Sequence, residues 1–113
     1  EEALPVLMEA NDDRVERPEG VAPRVAAKDH PIVRGLEASW PSLLGYNRFQ
    51  AKADGTVVAT AGEDPLIVAG SFGKGRSVAF ASDCGPHWAP PPFVDWKGYA
   101  PLWQQIANWV AGD

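Results

Sequence analysis

The chain has 113 residues, 45% hydrophobic and 22% charged, which suits one globular domain and is too short for two separate cores. Its net charge of −5, with ten Lys and Arg scattered along the chain, argues against a surface built for a phosphate backbone, so no nucleic-acid partner is expected. The apolar runs are too short to span a bilayer, no signal-peptide pattern opens the chain, and one cysteine fits a reducing compartment, so a cytoplasmic protein without membrane contact is expected. A start at Glu1-Glu2 rather than Met leaves a processed or truncated beginning open.

Short apolar runs at 4–8 and 21–27 alternate with charged, Pro- and Gly-bearing turns, which predicts two extended segments joined by a loop. The stretch His30-Pro31-Ile32-Val33-Arg34-Gly35-Leu36 predicts one helical turn, because Pro31 suits a first turn and Gly35 an end, with His30 as a capping residue. Residues 40–46 read as an irregular aromatic loop leading into an extended stretch over 47–53. Three strand-like runs follow at 56–61, 65–72 and 76–82. Gly62-Glu63-Asp64 and Gly73-Lys74-Gly75 separate them, and connections this short join antiparallel neighbours, so an antiparallel meander is expected over about 56–82. Pro90-Pro91-Pro92 predicts a stiff, extended loop. An amphipathic helix is expected over about 98–111. Tyr99, Leu102, Trp103, Ile106, Trp109 and Val110 fall on its apolar face, and Gln104, Gln105 and Asn108 on the other.

Val57-Val58-Ala59 and Leu66-Ile67-Val68-Ala69 are apolar on successive residues, so both faces of the sheet need cover. One long helix supplies one cover. The second is expected from outside: the N-terminal half of the same protein, or a second subunit in a homo-oligomer.

With these elements placed, the chain resembles the C-terminal half of the glutamine amidotransferase-like family, the class I amidotransferase-like α/β proteins related to the trehalose-utilisation, ThuA-like type. The residues that carry the resemblance are Asn11-Asp12-Asp13-Arg14-Val15-Glu16, Pro18-Glu19-Gly20, His30-Pro31-Ile32-Val33, Gly35-Leu36, Trp40 and Leu44-Gly45-Tyr46-Asn47-Arg48. Asp64-Pro65-Leu66, Gly73-Lys74-Gly75-Arg76, Ser82-Asp83-Cys84, Pro86-His87-Trp88, Trp96, Gly98-Tyr99 and Leu102-Trp103 continue it to the end. The resemblance implies an α/β, flavodoxin-like fold in which residues 1–113 form the C-terminal portion of one domain and a first half supplies parallel βα units. It also implies a catalytic cysteine in that first half and a His-Pro-Glu triplet at a late strand end. Here the comparable strand end, 80–84, holds Ser82 and Cys84, neither of them a general base.

The segment after that strand concentrates the candidate chemistry. Asp83, Cys84 and His87 are the candidate catalytic residues: Cys84 and His87 as nucleophile and base, against the alternative of an inert, packed thiol beside the anionic Asp83. The same three are legitimate metal ligands, but they lack a partner cluster, so no metal and no cofactor is expected. Trp88, Trp96, Trp40 and Tyr46, interleaved with Asp83, His87, Asn47 and Asp95, fit a sugar or planar ligand stacked on aromatic rings. Trp88, Tyr46, Asn47 and Trp96 are the candidate ligand-binding residues, against the alternative that the tryptophans pin the proline-rich loop to the sheet. Residues 82–88 follow a strand's carboxyl end, where open α/β sheets bind ligands. Gly73-Lys74-Gly75 lacks P-loop spacing and reads as a turn. Two functions therefore remain open: amide hydrolysis with help from His87 or Asp83, or non-catalytic recognition of a small polar ligand such as a carbohydrate.

Overall fold

The computed structural model describes residues 5–8, 14–82 and 88–112. The central feature is the meander. Strands β6 (Thr56–Ala61), β7 (Asp64–Phe72) and β8 (Gly75–Phe80) pair antiparallel in sequence order, and the two-residue β3 (Arg24–Val25) extends the sheet beside β6. Both hairpins turn through a two-residue Gly-X loop, Gly62-Glu63 and Gly73-Lys74, whose first residue has φ of +60° and +59°. Only glycine adopts that conformation freely, so the turn chemistry sets the register.

Two smaller antiparallel pairs complete the strands. β1 (Val6–Met8) pairs with β5 (Phe49–Ala51), and β2 (Arg14–Val21) pairs with β4 (Leu43–Asn47). Two expectations are corrected: the connection between the runs at 4–8 and 21–27 is strand over 14–21 rather than loop, and the expected aromatic loop at 40–46 is strand from residue 43 on. In β2 only Val15 is fully buried, with Val21 packed at the core's edge, and Pro18 is tolerated because β2 has a single strand neighbour among the described residues and its register slips between Glu16 and Val21. β4 alternates poorly because Leu43, Gly45 and Tyr46 are all buried.

The single helical turn forms as a 3-10 turn over Pro31–Val33. The His30 imidazole caps it by accepting from the Ile32 amide at 3.2 Å. Pro91 and Pro92 open a short helix, α1 (Pro91–Val94), in place of the extended loop expected there. Only Pro90 remains extended, because a proline ring fixes φ near −65°, which suits the first helical turn as well as a polyproline stretch. Helix α2 (Tyr99–Val110) is the expected amphipathic helix, with Leu102 and Ile106 buried. Gln105, assigned to its polar face, is half-buried and donates from Nε2 to the Ile32 carbonyl.

Leu66, Ile67, Val68 and Ala69 on β7 are each at most 1% exposed, so both faces of that strand are covered. Other segments of the chain supply this cover of β7. β5 packs on β7, Pro5 lies against Gly70, and the Gly55 turn lies against Val68, while α2 packs on β8 and the 3-10 turn. Phe49, Phe93, Leu43 and Leu102 join the same core, and the Cα radius of gyration is 13.4 Å. A compact domain of this length has about that radius, ~13 Å. The architecture is therefore α/β in the broad sense, with strand-rich antiparallel sheets and a C-terminal helix.

Candidate functional site

Asp83, Cys84 and His87 lie outside the described residues. The residues on either side of them are described, and both are fastened to β4. The Asn47 amide donates to the Ala81 carbonyl at 2.7 Å, and the Leu44 amide donates to the Trp88 carbonyl at 2.8 Å. Between these, the Ser82 hydroxyl donates to the Gly45 carbonyl at 2.6 Å. One five-residue strand thus holds both ends of the candidate segment, and Gly45 makes the approach possible. A Cβ there would meet the Trp88 indole nitrogen at 2.6 Å.

Alternation along β4 separates the aromatic candidates. Gly45, against which Trp88 sits, and Tyr46 are successive residues and point to opposite faces of the strand. Tyr46 is 2% exposed, and its hydroxyl donates to Asp64 Oδ2 at 2.7 Å. Arg48, one residue beyond β4, brings Nε within 3.9 Å of the same carboxylate oxygen. Trp88 is 7% exposed, and Asn47 is half-buried at the end of β4. Trp96 sits in a different aromatic group, with ring centroids 5.3 Å from Trp40 and 5.8 Å from Phe93, and donates from Nε1 to Glu37 Oε1 at 3.2 Å. The structure thus sets Asn47 and Trp88 against the described flanks of the 82–88 segment, Tyr46 beside Asp64, and Trp96 beside Trp40 and Phe93.

Tyr46 opens onto a polar concavity of about 410 Å³ lined by Arg17, Arg48, Gly62, Glu63 and Asp64. Burial, then the hydrogen bond and charge of Asp64, push the Tyr46 hydroxyl up to about 12, so it is a proton donor rather than an anion throughout the physiological range. Sequence reasoning missed Asp64, Arg17 and Arg48. Trp96 borders a second concavity of about 380 Å³ with Arg34, Glu37, Lys97 and Gln105. Among the described residues no group of three or more His, Cys, Asp or Glu could hold a metal ion, and no helix is long and apolar enough to cross a membrane.

The family model described as "Putative glutamine amidotransferase" matches residues 1–112, nearly the whole chain. The chain belongs to that family. Two solved structures are similar to the chain: Cytoplasmic Protein STM3548 from Salmonella typhimurium, at 41% identity, and Cytoplasmic Protein STM1381 from Salmonella typhimurium LT2, at 43%. Each superposes with a TM-score of 0.92 over 96% of this chain, and the match spans 44% of the Salmonella protein. The chain therefore spans less than half the length of these two proteins. No curated protein matches its sequence.

Proposed function

We propose that the chain forms the C-terminal portion of a class I amidotransferase-like, flavodoxin-like domain of the cytoplasm, and contributes a wall for a small polar ligand rather than a self-contained glutaminase triad. The observation that carries this reading is the double anchoring of segment 82–88 on β4 through the Asn47, Leu44 and Ser82 hydrogen bonds. These bonds set the described flanks of the segment, Ala81, Ser82 and Trp88, on one strand. The groups on this loop, Asp83 and His87 beside Trp88, suit recognition of a hydroxyl-rich ligand such as a sugar.

A glutaminase needs a thiolate, an oxyanion hole and a histidine with a supporting carboxylate. Ser82 stands at one position where the resemblance puts a member of that triad, and its hydroxyl is engaged by the Gly45 carbonyl. Family membership favours a second reading, in which His87 or Asp83 assists a cysteine carried elsewhere in the natural polypeptide.

Ammonia release from glutamine by the natural polypeptide separates the two. The binding reading expects no release, together with calorimetric binding of a small sugar that is lost in His87→Ala. Glutamine hydrolysis that disappears in His87→Ala overturns it in favour of the enzyme.

A further inference from the structure

Tyr46 opens onto the polar concavity of about 410 Å³ from the face of β4 opposite to Gly45, where Trp88 sits, so this hollow is separate from the 82–88 segment. Three elements build it. β4 supplies Tyr46 and, one residue beyond its end, Arg48. β2 supplies Arg17, two residues after Val15, which is the partner of Tyr46 in the register. The hairpin between β6 and β7 supplies Gly62, Glu63 and Asp64. A Cβ on Gly62 would lie 3.8 Å from the Tyr46 hydroxyl, so the turn packs against that group.

The charges on the rim are unequally engaged. Asp64 Oδ2 accepts from the Tyr46 hydroxyl at 2.7 Å and lies 3.9 Å from Arg48 Nε. Arg48 makes that contact through the nitrogen nearest its stem, and its side chain is 52% exposed. Arg17 is exposed, and among the described residues its Nη1 makes a marginal 3.5 Å contact with the Glu16 carbonyl. Two guanidinium groups with donors to spare therefore line one small hollow, beside a tyrosine–carboxylate pair that is already fixed. Arginine forks match the paired oxygens of a carboxylate or a phosphate. Glu63 and Asp64 stand on the same rim, where their negative charges oppose a dianion and their oxygens accept from hydroxyl groups. The hollow also has room for a ligand body beyond one carboxylate group.

We propose that this hollow binds a polyhydroxy carboxylate of sugar-acid size, with Arg17 and Arg48 taking the carboxylate and Glu63 and Asp64 accepting from the hydroxyl groups. Tyr46 is a positioning residue that holds Asp64 through its hydroxyl. A phosphate monoester offers the same oxygens to the arginines, but its second negative charge meets Glu63 and Asp64. The inference is independent of the reading given to the 82–88 segment.

Calorimetric titration of the natural polypeptide with sodium gluconate tests this. Saturation is expected at concentrations on the order of millimolar. Arg17→Gln and Arg48→Gln should each weaken gluconate binding about tenfold or more, because each removes a charge-assisted fork. Both side chains are exposed, so these variants keep the fold. Glucose, the uncharged counterpart, should lose no affinity in either variant. Absence of saturable gluconate binding, gluconate affinity unaltered in either arginine variant, equal weakening of glucose and gluconate, or inorganic phosphate bound more tightly than gluconate each overturns the proposal.

Discussion

The Trp88 indole occupies the space that a side chain on Gly45 would need, with contacts of 2.6 to 2.9 Å from a Cβ at that position to three indole atoms. The same strand holds the Trp88 carbonyl through the Leu44 amide. Gly45→Ala is therefore expected to push Trp88 off β4 and cost about 1–3 kcal/mol, the usual penalty for overpacking a filled site. A lower urea midpoint with a red-shifted tryptophan emission is the expected result; an unchanged midpoint would mean that Trp88 yields without loss.

Tyr46 and Asp64 form a hydrogen bond between side chains that ties β4 to the start of β7. The folded-state value of about 12 exceeds the ordinary 10, so folding favours the protonated phenol. The stabilisation this represents is complete below about pH 10 and is lost as pH rises towards 12. Ultraviolet titration of the phenolate in a Tyr99→Phe background, which leaves Tyr46 as the sole tyrosine, should show the raised midpoint. Asp64→Asn should lower that midpoint without returning it to 10, because burial is the larger cause.

The meander and α2 were legible because their signals are local. Gly62 and Gly73 stand where each hairpin needs a positive φ, and Leu102 and Ile106 repeat at helical spacing. β2 and β4 were not legible, because neither carries its own pattern. Val15 is the lone fully buried residue in a charged run, and the extended shape of 14–21 comes from pairing with β4, a tertiary effect no window of sequence contains. The packing of Pro5 and the three-residue β5 on β7 was not legible for the same reason: both are too short to carry a pattern of their own. At the candidate site the sequence drew attention to Trp88, Asn47, Tyr46 and Trp96, but their separation follows from reading 43–47 as a strand and from Trp40 capturing Trp96.

His30 offers a pH test. Its Nδ1 accepts from the Ile32 amide, so capping requires that nitrogen to be unprotonated. Its pKa lies below the ordinary 6.5, first through burial and then through the positive charges of Arg76 and Arg34. Folding therefore favours the neutral ring, and the contribution is full above about pH 6.5 and is lost as pH falls through the lowered value. His30→Asn keeps a cap and removes the titration, so the stability difference between parent and variant should shrink on acidification. A difference independent of pH would show that the ring does not titrate with folding.

Trp40 and Trp103 carry the same group in opposite circumstances. The Trp40 indole nitrogen donates to the Glu37 carbonyl at 2.8 Å, whereas that of Trp103 is buried with no acceptor among the described residues. A buried donor left unpaired costs about 1–3 kcal/mol, and a made hydrogen bond contributes about 0.5–1.5 kcal/mol. Trp40→Phe thus loses a bond and ring contacts, while Trp103→Phe loses ring contacts but also sheds the unpaired donor. Trp40 is 3% exposed and Trp103 half-buried, so packing pushes the two costs apart in the same direction. Chemical denaturation should place Trp103→Phe within about 1 kcal/mol of the parent and Trp40→Phe about 2 kcal/mol or more below it. Equal losses would show that Trp103 donates to an acceptor supplied from outside the described residues.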